Sequence, residues 1–224
     1  MTLRVVVIGA SGFGREALDV LEAMRSAGAE LTVVGVVDDG PSELNLARLA
    51  DRDVAYLGSL DSWLSYGDYD CRYVLGIGSP LVRRQLVQRL DAAGLKSFTA
   101  VHPSATFGER AEVADGVVVC AGATVSTNVR LSRHVHINPN VTLGHDAVLE
   151  DFVSVNPGAV ISGEVVIGSD TLVGASATIL QNLRVGKRTV VGAGAVVTKD
   201  VPNEVVVTGV PGSWATGYRN GGVG

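Results

Sequence analysis

His145 has the residue type and the neighbours that best fit acid–base chemistry in this sequence. Asp146 follows it directly, and Glu150 lies four residues further on than Asp146. An imidazole titrates near neutral pH, and a carboxylate beside it can hold one tautomer and strengthen the ring as a base. We therefore predict that His145 is a general base oriented by Asp146 or Glu150; the alternative is a structural histidine in a turn.

A glycine-rich segment near the N-terminus fits the binding of an anion. The segment GASGFG contains Gly9, Ser11, Gly12 and Gly14, between an aliphatic run and a stretch with helical spacing. Glycines allow close backbone approach, and the N–H groups at a helix N-terminus attract phosphate. The spacing differs from the dinucleotide motif, and about 100 residues hold only one mononucleotide-binding half. We expect a nucleoside diphosphate here rather than NAD, with a ligand-free turn as the alternative.

Further candidate substrate contacts follow the next two predicted strands. Asp38 or Asp39, after the second strand, could accept hydrogen bonds from a ribose or a base, although each is also a common turn residue. Gly78 follows the third strand, and Arg83 or Arg84 on the next helix could reach a phosphate.

The elements that carry these residues indicate a small α/β domain over residues 1–100. Strands are predicted at residues 3–8, 31–37 and 72–77, with a short one near 96–100. Helices are predicted at residues 15–27 and 80–93, with a connector and helix within 57–64. Strands that alternate with helices imply a parallel sheet with right-handed crossovers, so the domain is Rossmann-like.

The second half of the chain has a period of six residues. One apolar residue stands at every sixth position: Phe107, Val113, Val119, Val125, Leu131, Ile137, Leu143, Leu149, Val155, Ile161, Ile167, Val173, Ile179, Val185, Val191 and Val197. Neither a helix nor a simple strand has this period, whereas hexads that form the sides of a triangular parallel β-helix do. Three hexads make a coil of about 18 residues. We predict an all-β solenoid over residues 101–216 and a flexible Gly-rich tail over 217–224.

This register predicts which distant residues are stacked neighbours. Gly163 falls one coil above His145, where the missing side chain would leave the wall beside the imidazole open to a thin ligand. His136 and Ser154 lie nine residues before and after His145, on another face of the same solenoid. We expect His136 at a subunit interface or near substrate, and His134 in solvent.

Composition excludes several classes of function. A net charge of −5 and a pI near 5.3 argue against non-specific binding to nucleic acid or to an anionic membrane. The first residues form too short an apolar run for a signal peptide or a membrane span. Cys71 and Cys120 lie far apart, which indicates a reducing cytoplasm, and no residue spacing suggests a metal site. Cys120 has no base in its register, so a covalent cysteine mechanism is disfavoured.

The motifs together resemble a known family. The hexads, His145 with its following acid and the ending TGVPG resemble the left-handed β-helix acyltransferases. With the N-terminal RVVVIGASGFGRE, the junction VHPSA and GHDAVLEDF, roughly residues 3 to 215 resemble the nucleotide-sugar N-acetyltransferases of the NeuD/PglD type. The resemblance implies acetyl-CoA-dependent acetylation of the amino group of a UDP-, dTDP- or GDP-linked 4-amino-4,6-dideoxy sugar by direct transfer.

The resemblance also implies a homotrimer with acetyl-CoA in the groove between neighbouring β-helices. In relatives a second histidine often stands where this chain has Ser154, so Ser154 or Asn156 would donate a hydrogen bond instead. Contacts with acetyl-CoA are thereby expected at six positions: Ser154, Asn156, Gly163, Gly174, Gly192 and Ala193.

Two other functions stay open at this point. One is O-acetylation of a sugar hydroxyl, as in sialic acid O-acetyltransferases, which the same residues could perform. The other is a binding protein that keeps the hexapeptide fold without chemistry. A metal-dependent version would need three converging histidines, which the register does not supply within one chain.

Overall fold

The N-terminal domain is a parallel sheet flanked by helices. The computed structural model describes residues 2–66 and 69–215, so the predicted tail at 217–224 lies outside the described residues. The sheet has the order β2-β1-β3-β4, built from β1 (Leu3–Ile8), β2 (Leu31–Val37), β3 (Arg72–Leu75) and β4 (Lys96–Ser97). The helices are α1 (Gly12–Ser26), α2 (Glu43–Ala50), α3 (Leu60–Tyr66) and α4 (Pro80–Ala92). No helix in the described part of the chain is long and apolar enough to cross a membrane.

The predicted elements of this domain match the structure closely, with one helix missed. β1 and β2 have the expected bounds because continuous aliphatic runs suit strands that are buried on both faces. α2 was not predicted, since it buries only Leu49 and so has a weak apolar pattern. Its start is fixed by Ser42, whose side chain accepts a hydrogen bond from the Asn45 N–H at 3.2 Å.

Residues 100–208 form the expected triangular β-helix, with three parallel sheets as its faces. Face 1 holds β5 (Ala100–Val101), β8 (Val118–Val119), β11 (His136–Ile137), β14 (Ser154–Val155), β17 (Leu172–Val173), β20 (Val190–Val191), β22 (Val206–Thr208) and the antiparallel β23 (Ser213–Ala215). Face 2 holds β6 (Thr106–Phe107), β9 (Thr124–Val125), β12 (Thr142–Leu143), β15 (Val160–Ile161), β18 (Thr178–Ile179) and β21 (Val196–Val197). Face 3 holds β7 (Glu112–Val113), β10 (Arg130–Leu131), β13 (Val148–Leu149), β16 (Val166–Ile167) and β19 (Arg184–Val185).

The core of the β-helix contains the apolar residues of the six-residue series. All of them are buried except Phe107 and Val113, which are 38% and 36% exposed because no coil lies beneath the first one. Each buried Val, Ile or Leu contributes about 1.5–3 kcal/mol through removal from water. Many corner positions take a left-handed backbone, among them Asp146 at a φ of 60°.

The N-terminal domain packs on face 1 of the β-helix. Val118 and Cys120 of face 1 belong to one hydrophobic cluster with residues of α1 and β1. Phe152, at the corner that precedes β14, belongs to a second cluster with residues of β3 and α4. Two apolar clusters therefore contain residues of both domains and hold one domain against the other.

Candidate active site

His145 lies at the corner between faces 2 and 3, where its side chain is 57% exposed. Its Nδ1 is 2.8 Å from Oδ2 of Asp146. Hydrogen bonds from His145 and then Asn128 lower the pKa of the Asp146 carboxyl, so Asp146 is the ionised group that orients the ring. Glu150, the other candidate, instead accepts hydrogen bonds from the backbone N–H and hydroxyl of Ser169 at 3.0 and 2.8 Å. This arrangement leaves His145 Nε2 available as a base.

Gly163 lies beside His145, as the 18-residue register predicts. A Cβ on Gly163 would be 2.5 Å from His145 Nε2, so only glycine leaves room for the imidazole. The expectation of a wall open to a thin ligand is wrong in one respect, because the ring itself fills that space. Gly163 is buried beside the ring, and among the described residues no backbone acceptor pairs with its N–H.

The glycine loop combines close packing with one open position. A Cβ on Gly14 would be 1.9 Å from the Gly9 carbonyl oxygen, and one on Gly9 would be 2.8 Å from the Gly76 carbonyl oxygen. These glycines are therefore required by contact between backbones. Gly12 has open space around its Cα at the start of α1, and the Ser11 side chain forms no cap bond. The N–H groups at this helix end can receive a phosphate.

Asp38 and Asp39 line a pocket of about 200 Å³ at the carboxyl ends of β1, β2 and β3. Asp38 Oδ2 accepts a hydrogen bond from the Ala10 N–H at 2.7 Å, and Asp39 Oδ1 accepts one from the Leu60 N–H at 2.8 Å. Both carboxylates thus hold loops in place and keep acceptor capacity for a ligand. Apolar side chains complete the wall, as expected for a pocket that receives a nucleoside.

The predictions for His136 and Ser154 are wrong, because the N-terminal domain covers both. His136 is 1% exposed and stacks on Phe13 with ring centroids 4.5 Å apart. Ser154 is 2% exposed, and its hydroxyl donates to the Gly78 carbonyl at 3.1 Å. His136 therefore cannot contact substrate, and Ser154 cannot contact acetyl-CoA. Gly78 keeps open space around its Cα at the end of β3.

His134 is also buried, contrary to the expectation that it lies in solvent. Its ring stacks between Tyr73 and Phe152, with centroids 6.1 and 5.0 Å away. Burial lowers the pKa of His134 to about 4 and that of His136 well below its ordinary value. Both rings are therefore neutral at physiological pH and serve the contact between domains.

Arg83 joins the two domains, a role that its sequence position did not reveal. Its side chain is fully buried, and burial lowers its pKa to about 9. The guanidinium donates to Ser154 Oγ at 2.8 Å and to the Phe152 carbonyl at 2.7 Å. Arg84 is paired with Asp170 at 2.7 Å. The hypothesis that Arg83 reaches a phosphate is therefore wrong. The sequence alone does not show that the β-helix covers this side chain of α4.

The remaining positions expected to contact acetyl-CoA lie on a second edge of the β-helix. Asn156, Gly174 and Gly192 follow β14, β17 and β20, so they form one column at the corner between faces 1 and 2, with Ala193 beside it. His145 and Gly163 lie at the other border of face 2. Within one chain, these two sets are separated by the width of that face.

The thiol of Cys120 is buried. Burial, followed by the charges of Glu16 and Asp19, raises its pKa to about 12, so the thiol stays protonated. Among the described residues, no group of three or more histidine, cysteine or acidic side chains could hold a metal ion.

Comparisons with known proteins match both domains of the chain. Residues 4–90 match the PglD N-terminal domain family, and residues 164–199 match the bacterial transferase hexapeptide family. PerB from Caulobacter crescentus, solved with CoA and GDP-perosamine, is 27% identical over 94% of this chain and 96% of its own, with a TM-score of 0.83. Variants of that protein with one histidine replaced by asparagine or alanine were also solved with CoA and GDP-perosamine.

Two further structures resemble the whole chain. The acetyltransferase domain of PglB from Neisseria gonorrhoeae, in complex with acetyl coenzyme A, is 28% identical over 96% of this chain and 100% of its own, with a TM-score of 0.82. WeeI from Acinetobacter baumannii is 26% identical with the same coverage and TM-score. A search of curated protein sequences finds no match.

The fold and the site thus define a hexapeptide-repeat protein of the left-handed β-helix acyltransferase superfamily. Residues 4–90 add a PglD N-terminal domain to these repeats. The chain thus combines a PglD N-terminal domain with hexapeptide repeats, and nearly its whole length is similar to PerB and to the acetyltransferase domain of PglB.

Proposed function

We propose that this protein transfers the acetyl group of acetyl-CoA to the amino group of a nucleotide-linked 4-amino-4,6-dideoxy sugar. The observation that carries the proposal is the exposed His145–Asp146 pair in a chain that also has a nucleotide-type pocket. PerB was solved with CoA and GDP-perosamine, and the acetyltransferase domain of PglB with acetyl-CoA, which supports this choice of substrates.

The geometry supports direct transfer with His145 as the base. Asp146 holds the proton on Nδ1, so Nε2 accepts a proton from the sugar amine as the nitrogen attacks the thioester carbonyl. The Gly163 N–H stabilises the oxyanion of the tetrahedral intermediate. Collapse breaks the C–S bond, and the proton held on Nε2 passes to the departing thiolate, which leaves as CoA. Both substrates are held together, which supplies much of the rate.

We also propose that the active site forms between copies of the chain in a homotrimer. The N-terminal domain, which carries the pocket, packs on face 1, whereas His145 stands at the corner of faces 2 and 3. The outward residues of face 2 are uncharged, which suits an interface: Thr106, Thr124, Thr142, Val160, Thr178 and Val196. Cyclic contacts would bring the Asn156–Gly192 edge of one copy to the His145 edge of the next.

The remaining assignments follow from this arrangement. Gly9, Ser11, Gly12, Gly14, Gly78, Asp38 and Asp39 belong to the nucleotide-sugar site, and Asn156, Gly163, Gly174, Gly192 and Ala193 to the acetyl-CoA groove. We place the enzyme in the cytoplasm, as the use of acetyl-CoA suggests.

The activity is tested by measuring CoA release with UDP-, dTDP- and GDP-linked 4-amino sugars, alongside sugars with a hydroxyl at the same carbon. Release with an amino sugar, and not with its hydroxyl analogue, supports the proposal. Release only with the hydroxyl analogue would establish O-acetylation, and no release with any of them would contradict acetyl transfer.

Complementation tests the site shared between copies. His145→Ala should lower turnover at least ~10²-fold. Gly12→Glu places a carboxylate in the open space where a phosphate is expected, so it should abolish nucleotide binding. Each parent is then nearly inactive. A refolded equal mixture should regain about one quarter of the wild-type activity, since one site in four pairs an intact pocket with an intact His145 of the neighbour. A mixture as inactive as its parents would show that each site lies within one chain.

A further inference from the structure

We propose that Asn128 is a positioning residue that acts on His145 through Asp146. The Asn128 side chain donates a hydrogen bond from Nδ2 to Oδ1 of Asp146 at 2.9 Å. The other carboxylate oxygen, Oδ2, is 2.8 Å from His145 Nδ1. The carboxylate is thus held at both oxygens, between an amide and the imidazole.

The β-helix register places these two corner residues one above the other. Asn128 and Asp146 are 18 residues apart, and both take a left-handed backbone, with φ of 58° and 60°. Asparagine and aspartate adopt this conformation at low cost. The Asp146 N–H donates to the Thr127 carbonyl at 3.0 Å, and the Asn128 N–H donates to the Glu109 carbonyl at 3.1 Å. Backbone hydrogen bonds therefore stack the two corners independently of the contact between their side chains.

Orientation is the physical role of this contact. All three side chains are exposed, so the hydrogen bonds add little to the stability of the fold. A carboxylate with one free oxygen can rotate away from the imidazole, whereas the amide of Asn128 fixes its plane. The same bond favours the ionised form of Asp146 and lowers its pKa. A fixed, ionised carboxylate keeps the proton on Nδ1 and leaves Nε2 as the acceptor.

Asn140 provides a matched control for Asn128. It occupies the same place in its hexad, has a φ of 59° and is exposed, but it lies at the corner between faces 1 and 2 and has no contact with Asp146. Replacement of either residue by alanine removes the same atoms from the same backbone conformation. A difference between the two variants in the Asp146 titration and the His145 tautomer therefore reports the hydrogen bond to Asp146.

The test combines kinetics with NMR of the full-length protein, because the catalytic part rests on the proposed function. Asn128→Ala should lower kcat about 10-fold, with little change in KM for acetyl-CoA. Asn140 lies at the corner proposed for the acetyl-CoA groove, so Asn140→Ala serves as the control in the NMR measurement, where it should leave Asp146 and His145 as in wild type. Asn128→Asp keeps the shape, removes the donor and adds a like charge, so it should lower kcat at least as much. In an Asp146→Asn background, Asn128→Ala should have no further effect on kcat.

The NMR readout does not depend on turnover. In wild type, ¹⁵N shifts should show the His145 proton on Nδ1, and the Asp146 carboxyl should titrate below its ordinary range. Asn128→Ala should raise the pKa of Asp146 and mix the His145 tautomers. Unchanged tautomer and Asp146 titration in a folded Asn128→Ala variant would overturn the proposal. If these change in a protein that acetylates no substrate, the proposed function fails and the positioning role stands.

Discussion

Replacement of Arg83 by alanine should show how much the contact between the domains contributes to stability. The guanidinium is the hydrogen-bond donor to the carbonyl oxygens of Ile77 at 3.1 Å, His134 at 3.3 Å and Phe152 at 2.7 Å. Arg83→Ala leaves these three oxygens at a domain contact without their donor. An acceptor left unpaired in a buried place costs about 1–3 kcal/mol.

Two other acceptors keep a partner and so reduce the loss. The Gly78 carbonyl still receives the Ser154 hydroxyl at 3.1 Å, and the Val153 carbonyl still receives the His136 N–H at 2.9 Å. Removal of a charge whose burial is unfavourable, as the lowered pKa of Arg83 shows, offsets part of the remaining cost. We expect the free energy of unfolding to fall by about 3–5 kcal/mol, a large share of the stability of a typical protein.

Urea unfolding followed by circular dichroism measures the total loss, and hydrogen exchange locates it. The rate of amide hydrogen exchange should rise most in α4 and in the coil around Phe152, while amides at the other end of the β-helix stay protected. Arg83→Met fills the space without donors, and Arg83→Lys restores part of the donors, so the expected order of stability is wild type, Lys, Met, Ala. A loss below about 1 kcal/mol in Arg83→Ala would refute the reasoning, since the unpaired carbonyls would then cost almost nothing.

Two further predictions concern the buried histidines and the glycine at the active site. Above pH 6.5, His134 and His136 are neutral in both folded and unfolded chains. As pH falls from 6.5 towards 4, only the unfolded chain takes up protons at these two histidines. The free energy of unfolding therefore decreases, by about 3 kcal/mol at pH 4 from His134 alone. Urea midpoints that stay constant over this range would contradict the burial of both rings. Gly163→Ala should displace the His145 ring and lower kcat about 10-fold or more while the fold is kept, because its Cβ would be 2.5 Å from Nε2. Wild-type kcat in a folded Gly163→Ala protein would show that this ring position is not needed.

Much of the β-helix could be predicted because its sequence has a period of six residues, and three such units make one coil of about 18 residues. The six-residue series fixed the stacking of the coils, and with it the contact between His145 and Gly163. The same register, read at the next position, would also have placed Asn128 under Asp146. These contacts are predictable because a solenoid coil has its neighbours at a constant sequence distance.

The contacts between the two domains could not be predicted in this way. A periodicity describes how the β-helix stacks on itself, but it carries no information about which face a second domain covers. His136 and Ser154 therefore looked like polar residues available to a ligand, whereas Phe13 and Arg83 bury them. Arg83 has no distinguishing sequence feature, because its burial depends on where α4 docks.

The outward residues of the β-helix nevertheless carry a partial signal when they are sorted by face. Face 3 has charges at Glu112, Arg130 and Arg184, as a surface in contact with water should. Face 1 has none in its described strands, and the N-terminal domain covers it at Val118, His136 and Ser154. Face 2 lacks charge in the same way, but among residues 2–66 and 69–215 no element packs over its outer side. The uncharged face 1 is covered where the structure shows its partner. By the same reasoning we expect the next copy of the chain on face 2, beside the edge that carries His145.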